Sequence, residues 1–285
     1  MKNKLSTILL AAAFLAGLSL LLYPSVSDYW NSLHASQAVA SYDEEVRSLD
    51  RSQYEALWND ALDYNRSLTG RSSHYALTEE QRAQYDSLLN VSGTGIMGYI
   101  EIPTIKLSLP IYHGTGDDVL QIAVGHIEWS SLPVGGAGSH CVLSGHRGLP
   151  SAKLFTNLDQ LVEGDYFVIR VLDEVLTYEV DRILIVEPSE VDSLAIEAGM
   201  DYCTLVTCTP YGVNSHRLLV RGHRVENQET SEAIRVTSDA IQIEPLIVAP
   251  MVALPVLLAL LIVLLVYDPK KKKNHGGVHH DENSV

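Results

Sequence analysis

The sequence predicts a mainly β protein: a closed or nearly closed barrel of short strands, preceded by helices and flanked by two membrane-spanning helices. Three observations carry this reading. Two almost charge-free apolar blocks stand towards the two ends of the 285-residue chain. Between 35 and 95, apolar residues recur every three to four positions, the helical period. From Ile96 onward the apolar period becomes two, with Gly, Pro and Asp turns between short runs, the pattern of a small barrel.

The first apolar block, 5–22, follows Lys2 and Lys4. About 18 apolar or small residues just cross the hydrocarbon core as a helix. A cleaved signal peptide looks similar, and Ala38-Val39-Ala40 resembles a cleavage site. That tripeptide lies well beyond the apolar run, so the block is expected to be an uncleaved anchor behind a cytoplasmic stub, 1–4. The second block, 246–267, leads directly into four lysines at 270–273, which read as a cytoplasmic flank. Its Pro250 and Pro255 suit a membrane helix better than a soluble one. The polar stretch 227–245 reads as a tether and 268–285 as a basic cytoplasmic tail.

The segment between the blocks carries about 32 acidic groups against 14 basic ones. Both ends are therefore expected in the cytoplasm, with an acidic domain on the extracellular face of the plasma membrane. Nucleic acid is excluded as a partner, because its phosphates need basic groups.

In the helical region, 35–95, Val39, Tyr42, Val46, Leu49, Leu57 and Leu62 define one packed face of a helix over 35–66. Gly70 and a polar cluster break the pattern at 67–77. Thr78 then starts a second helix, and Gln81 three residues on completes a capping box. Tyr85, Leu88 and Leu89 point inward, and Ser92-Gly93-Thr94-Gly95 ends the helix. The barrel, 96–226, is expected to use strands at 98–102, 107–111, 139–144, 166–171, 176–186, 202–207 and 217–225. Helix-forming stretches at 151–161 and 189–198 interrupt them.

Chemistry begins with three cysteines, Cys141, Cys203 and Cys208. Three is odd, so at least one thiol stays unpaired within the chain. Cys141 lies in an apolar strand and reads as a small buried hydrophobe. Cys203 and Cys208 are five residues apart, which puts them on opposite faces of a strand. Cys208 ends its strand before Thr209-Pro210-Tyr211-Gly212, so its thiol belongs at the barrel rim. A thiol needs a base or a positive field to act at neutral pH. His146, at the strand-to-loop junction Gly145-His146-Arg147-Gly148, is the best-placed base. His126 is its rival, and His216 points to the face of its strand opposite Arg217.

Arg217 follows Cys208 by nine residues and opens the next strand. Strands joined by a short loop are neighbours, so Arg217 reaches back towards Cys208. A guanidinium stays charged and offers several donors, which suits a developing oxyanion. Arg221, further along, reads as a rim salt bridge. Taken singly, a cysteine or histidine in such a place is more often structural than catalytic.

Taken together they meet a family. Thr204-Leu205-Val206-Thr207-Cys208 resembles the TLxTC signature of sortases, and the stretch TLVTCTPYGVNSHRLLVRGHR (204–224) resembles the class C, pilus-assembling sortases. GYIEIP (98–103), LPIYHGT (109–115), SLPVGG (131–136) and GHRGLPSAKLF (145–155) extend the likeness in order over 35–225. The resemblance implies an eight-stranded sortase-type barrel with Cys208 as nucleophile, His146 as general acid and base, and Arg217 holding substrate and oxyanion. It implies cleavage of an LPxTG-like signal between Thr and Gly, a thioacyl enzyme, and transfer to a lysine amine of a pilin. Partners would be pilins or surface proteins with C-terminal sorting signals, with no cofactor and no metal.

The second membrane span also fits this class. One feature departs from it: the class carries a lid with an Asp-Pro-aromatic anchor, and the loop at 71–78 has no Asp-Pro pair. His74 or Tyr75 is the candidate plug there, against the reading of an ordinary interhelical loop. The other functional readings are a cell-wall-anchoring sortase, a plain membrane-bound cysteine hydrolase in which Asn214 orients His146, and a non-catalytic scaffold.

Overall fold

Helix α1 (Lys2–Ser48) runs unbroken through Pro24. The structure, a computed structural model, describes residues 2–68 and 77–227 together with Leu257. The candidate plug residues His74 and Tyr75, most of the tether, the second apolar block apart from Leu257, and the basic tail lie outside the described residues. Two compact units divide the chain, and in its described part their boundary falls between Ser25 and Val26.

In the first unit, α1 exposes Ile8, Leu9, Leu10, Leu15, Leu20 and Leu21 along its length. Among the described residues it is the one helix long and apolar enough to cross a membrane. A surface this apolar has no counterpart on a water-facing helix, whose outer stripe is polar.

The second unit holds the rest of α1, two further helices, a single helical turn at Asp117–Leu120 and the barrel. The single helix expected over 35–66 is two, because α1 ends at Ser48 and α2 (Arg51–Leu68) starts afresh. Asp50 causes the break. Its carboxylate accepts from Gln53 N (2.9 Å) while the Gln53 side chain accepts from Asp50 N (3.0 Å), a reciprocal cap that fits only a new helix start. The same device at Thr78 and Gln81 starts α3 (Glu79–Ser87), as the sequence predicts. That helix ends at Leu88, earlier than the Ser92–Gly95 stretch suggested, and Leu89 turns through a left-handed φ of 56°.

The helices dock through buried polar anchors as well as apolar contact. Tyr42 of α1 donates to Met97 O (2.9 Å) and accepts from Leu172 N (2.8 Å). Asn65 of α2 pairs with both backbone groups of Leu132, at 3.0 and 2.7 Å, as a strand neighbour would. Each anchor satisfies backbone groups that burial would otherwise leave unpaired.

Eight strands close the barrel: β1 (Ile96–Ile102), β2 (Leu107–His113), β3 (Val124–His126), β4 (Ser139–Ser144), β5 (Tyr166–Val171), β6 (Glu174–Val186), β7 (Asp201–Thr209) and β8 (His216–Val225). Their order is β1-β2-β3-β4-β7-β8-β6-β5, with β5 returning to β1. The pairs β2–β3 and β4–β7 are parallel and the rest antiparallel. Closure leaves no edge strand to aggregate. Strand β3 has no counterpart in the sequence reading, since three residues around Gly125 show no alternation. The helix-forming stretches prove shorter, as 3-10 turns at Leu154–Gln160 and Asp192–Leu194.

Inward residues fill the barrel, among them Ile100, Ile111, Leu143, Phe167, Ile169, Leu205 and Val220, and they join the helices in one core. A smaller apolar cluster, Val142, Leu194, Val206 and Leu219, lies on the other face of β4, β7 and β8. Alternation produces this division directly: Leu205 and Val206 are consecutive and point to opposite sides.

Candidate active site

Cys208 and Arg217 are Cα partners in the β7–β8 ladder. Residues directly opposite on antiparallel strands present their side chains to the same face. That face is the one carrying Val206 and Leu219, two residues back on β7 and two on along β8. The thiol of Cys208 is partly exposed, whereas Cys141 and Cys203 are buried. The expected opposition of Cys203 and Cys208 is therefore present, with Cys203 in the barrel core. Arg217 Nη1 donates to Asn214 O (3.4 Å) and His216 O (3.2 Å), which holds the guanidinium at the β7–β8 turn.

His146 reaches this site from β4. The parallel β4–β7 ladder pairs Ser144 with Val206. One step further, Gly145 N donates to Val206 O (3.1 Å) and Gly145 O accepts from the Thr207 hydroxyl (2.8 Å). The next residue on each strand is His146 on one side and Cys208 on the other. Phe155 N donates to His146 O (3.0 Å), so the backbone of His146 is held on both flanks. Gly145 is required here: a Cβ would meet the Phe155 ring at 2.7 Å. The fold thus brings Cys208, His146 and Arg217 to one end of three adjacent strands.

The other candidates are placed elsewhere. His126 is fully buried. Its Nε2 donates to Ser131 O (2.8 Å), so its Nδ1 accepts from the Tyr85 hydroxyl (2.9 Å). Both ring nitrogens are used in holding α3 and the β3–β4 connection to the barrel. His216 sits beside Arg217 with its Nδ1 against the Ser215 hydroxyl at 2.8 Å. Arg221 grips Asp181 through two bonds of 3.0 and 2.8 Å and stacks over Tyr202, 4.0 Å from the ring centre. That is the rim salt bridge the sequence suggested. Asn214 uses its backbone carbonyl towards Arg217, and among the described residues its side chain makes no hydrogen bond to His146.

Two residues that sequence reasoning passed over also shape the site. His140, buried on β4, donates from Nδ1 to Ala195 O (2.9 Å) and accepts at Nε2 from the Thr204 hydroxyl (2.7 Å). It thereby ties down the β6–β7 connection next to Leu194, whose side chain covers Val142 and Val206. Burial pushes the pKa of His140 down, against the opposing pull of the Ala195 carbonyl, so the ring is neutral. Arg147, next to His146, pairs with Asp159, donates to the Thr209 hydroxyl (3.4 Å) and lies 5.9 Å over the Tyr211 ring. An arginine after a histidine in a loop carries no sequence signal for such contacts, because its partners lie 12 and 62 residues away. Among the described residues no cluster of three or more His, Cys, Asp or Glu could hold a metal ion.

A partly exposed thiol, a histidine just past the end of the neighbouring parallel strand and an arginine opposite the thiol form a set suited to acyl transfer. Residues 100–225 match the family model for the sortase domain. The chain is 49% identical to sortase C1 from Streptococcus agalactiae, with a TM-score of 0.66, over 67% of this chain and all of that one. It is 41% identical to a sortase C from Streptococcus pneumoniae, with a TM-score of 0.60, over 67% of this chain and 97% of the other. Sortase D of Bacillus subtilis is 31% identical over 131 residues, and the match spans 63% of that relative's length.

Proposed function

Because the chain belongs to the sortase family of enzymes, with class C sortases as its structural neighbours, we propose that it is a membrane-anchored cysteine transpeptidase that joins pilin subunits. Cys208 is the nucleophile. Its sulfur attacks the threonine carbonyl of an LPxTG-like sorting signal, and the bond to the following glycine breaks. His146 gives the leaving amine its proton, and a thioester remains on Cys208. A pilin lysine amine then attacks the thioester. His146 takes the proton released, the carbon–sulfur bond breaks, and an isopeptide bond is left. Arg217 directs its donors at the oxyanion that forms in both steps.

One observation carries this reading: Arg217 stands directly opposite Cys208, and the β4–β7 ladder leads His146 to the adjacent position. The choice of a pilin as substrate is supported by the structural neighbours, among them a sortase C of Streptococcus pneumoniae whose structure concerns pilin substrate specificity. The apolar part of α1 supports an anchored enzyme. The second apolar block, 246–267, supplies the other span of the proposed topology, with the barrel on the outer face.

The test uses the full-length protein in detergent with a pilin bearing a sorting signal. Crosslinked product should form and should disappear in Cys208→Ala. Cleavage that stays purely hydrolytic when a lysine acceptor is added would mark a plain hydrolase. Ligation only to a cell-wall amine would mark an anchoring sortase.

A further inference from the structure

Three segments meet at Arg147, and two of them carry the groups proposed to react. Arg147 directly follows His146. Its Nη1 donates to the hydroxyl of Thr209, the residue directly after Cys208, at 3.4 Å. Its Nη2 pairs with the Asp159 carboxylate in the 3-10 turn Leu154–Gln160. The guanidinium also lies over Tyr211, in the turn beyond Cys208, at 5.9 Å from the ring centre. Tyr211 packs in turn against Gly148, where a Cβ would come within 3.0 Å of the ring.

The side chain is only 10% exposed, whereas Asp159 is 45% exposed. A guanidinium so enclosed would be costly if its contacts served nothing but the surface ion pair, since exposed pairs contribute little. Its planar fork instead spans the two strand ends in one rigid unit, which a lysine cannot do.

We propose that Arg147 is a positioning residue for the transpeptidation described above: it clamps the loop after β4 to the end of β7 and so sets the approach of His146 to Cys208. The backbone bonds of Gly145 fix where the two strands end. Beyond those ends, among the described residues, Arg147 makes the side-chain hydrogen bond and the cation–π contact that join the loop starting at His146 to the turn starting at Thr209. Small displacements between a nucleophile and its base cost one to two orders of magnitude in rate. The clamp therefore acts on turnover more than on substrate binding.

The experiment compares full-length wild type, Arg147→Met, Arg147→Lys, Thr209→Val and the Arg147→Met/Thr209→Val double variant in detergent. Two readouts are taken: the pH dependence of Cys208 alkylation by iodoacetamide, and kcat and KM with a sorting-signal peptide. Thr209→Val keeps every charge in place and removes only the clamp's acceptor. It should shift the alkylation profile in the same direction as Arg147→Met. Turnover should fall roughly tenfold to a hundredfold with KM within about twofold, Arg147→Lys should restore little, and the double variant should be no worse than the worse single one.

Alkylation profiles superimposable on wild type in Thr209→Val would overturn the proposal, as would fully additive losses. If Arg147→Met fails to fold, Thr209→Val alone decides. The alkylation readout needs no substrate, so a wild type that ligates nothing would count against the transpeptidase reading and leave this test standing.

Discussion

Arg217 lies directly across the β7–β8 ladder from Cys208, on the same face of the sheet. In the proposed reaction its donors would serve charge that develops next to the thiol. Replacing Arg217 with alanine should lower kcat about a hundredfold to a thousandfold, the usual loss for one oxyanion donor. Arg217→Lys should recover only part, because a single ammonium cannot reproduce the fork. Steady-state kinetics on the full-length enzyme with a sorting-signal peptide measures both. An unchanged kcat in Arg217→Ala would remove Arg217 from the reaction.

Gly145 makes the placement of His146 depend on packing. In Gly145→Ala the new methyl would press on the fully buried Phe155 ring, whose own backbone amide bonds His146 O. Overpacking of this kind costs about 1–3 kcal/mol. The variant should melt at a lower temperature and lose more turnover than its stability loss explains, because the ring and His146 move together. Thermal unfolding and turnover recorded on the same preparation separate the two effects.

His140 should make stability depend on pH. Its folded-state pKa is pushed below the ordinary histidine value of 6.5. Between the folded and unfolded values the unfolded chain binds more protons, so stability rises with pH in that window. The contribution is fully present above about pH 6.5 and is lost as pH falls through the folded value. Melting temperature should thus decline below pH 6.5, and His140→Gln should flatten that decline at the cost of lower stability at neutral pH. His113 is pushed down by burial as well and adds to the same trend, so the measurement is the difference between wild type and variant.

Tyr42 offers a test of how α1 is held to the barrel. Its hydroxyl serves one carbonyl and one amide, Met97 O and Leu172 N. Tyr42→Phe leaves both buried groups without that partner and should destabilise the protein by about 1–3 kcal/mol. Turnover at temperatures well below melting should be unchanged, since Tyr42 contacts neither Cys208 nor His146.

What could be read from the sequence follows the range of the interactions. Local periodicity placed seven of the eight strands, and β3 escaped because three residues cannot show a period. The Thr78–Gln81 cap was legible, and Asp50–Gln53 carries the same signal within an otherwise continuous apolar stripe. Cys208 and Arg217 were linked by a nine-residue spacing, because a short loop makes its strands neighbours. The parallel pairing of β4 with β7 has no such local mark, since Ser144 and Val206 are far apart in the chain. From its own pattern His146 could therefore be singled out only as a histidine at a strand end, and it was the family resemblance that joined it to Cys208 in one site. The contacts of His140 and Arg147 depend on the same long-range pairing and left no trace in the sequence.

The most direct measurement is the intact mass of the full-length enzyme after incubation with an LPxTG-bearing peptide and no amine acceptor. The expected result is an adduct equal to the peptide acyl fragment ending at threonine, located on Cys208, released by hydroxylamine and absent in Cys208→Ala. An adduct on another residue, or peptide cleavage that persists in Cys208→Ala, would contradict the assignment of Cys208 as the nucleophile.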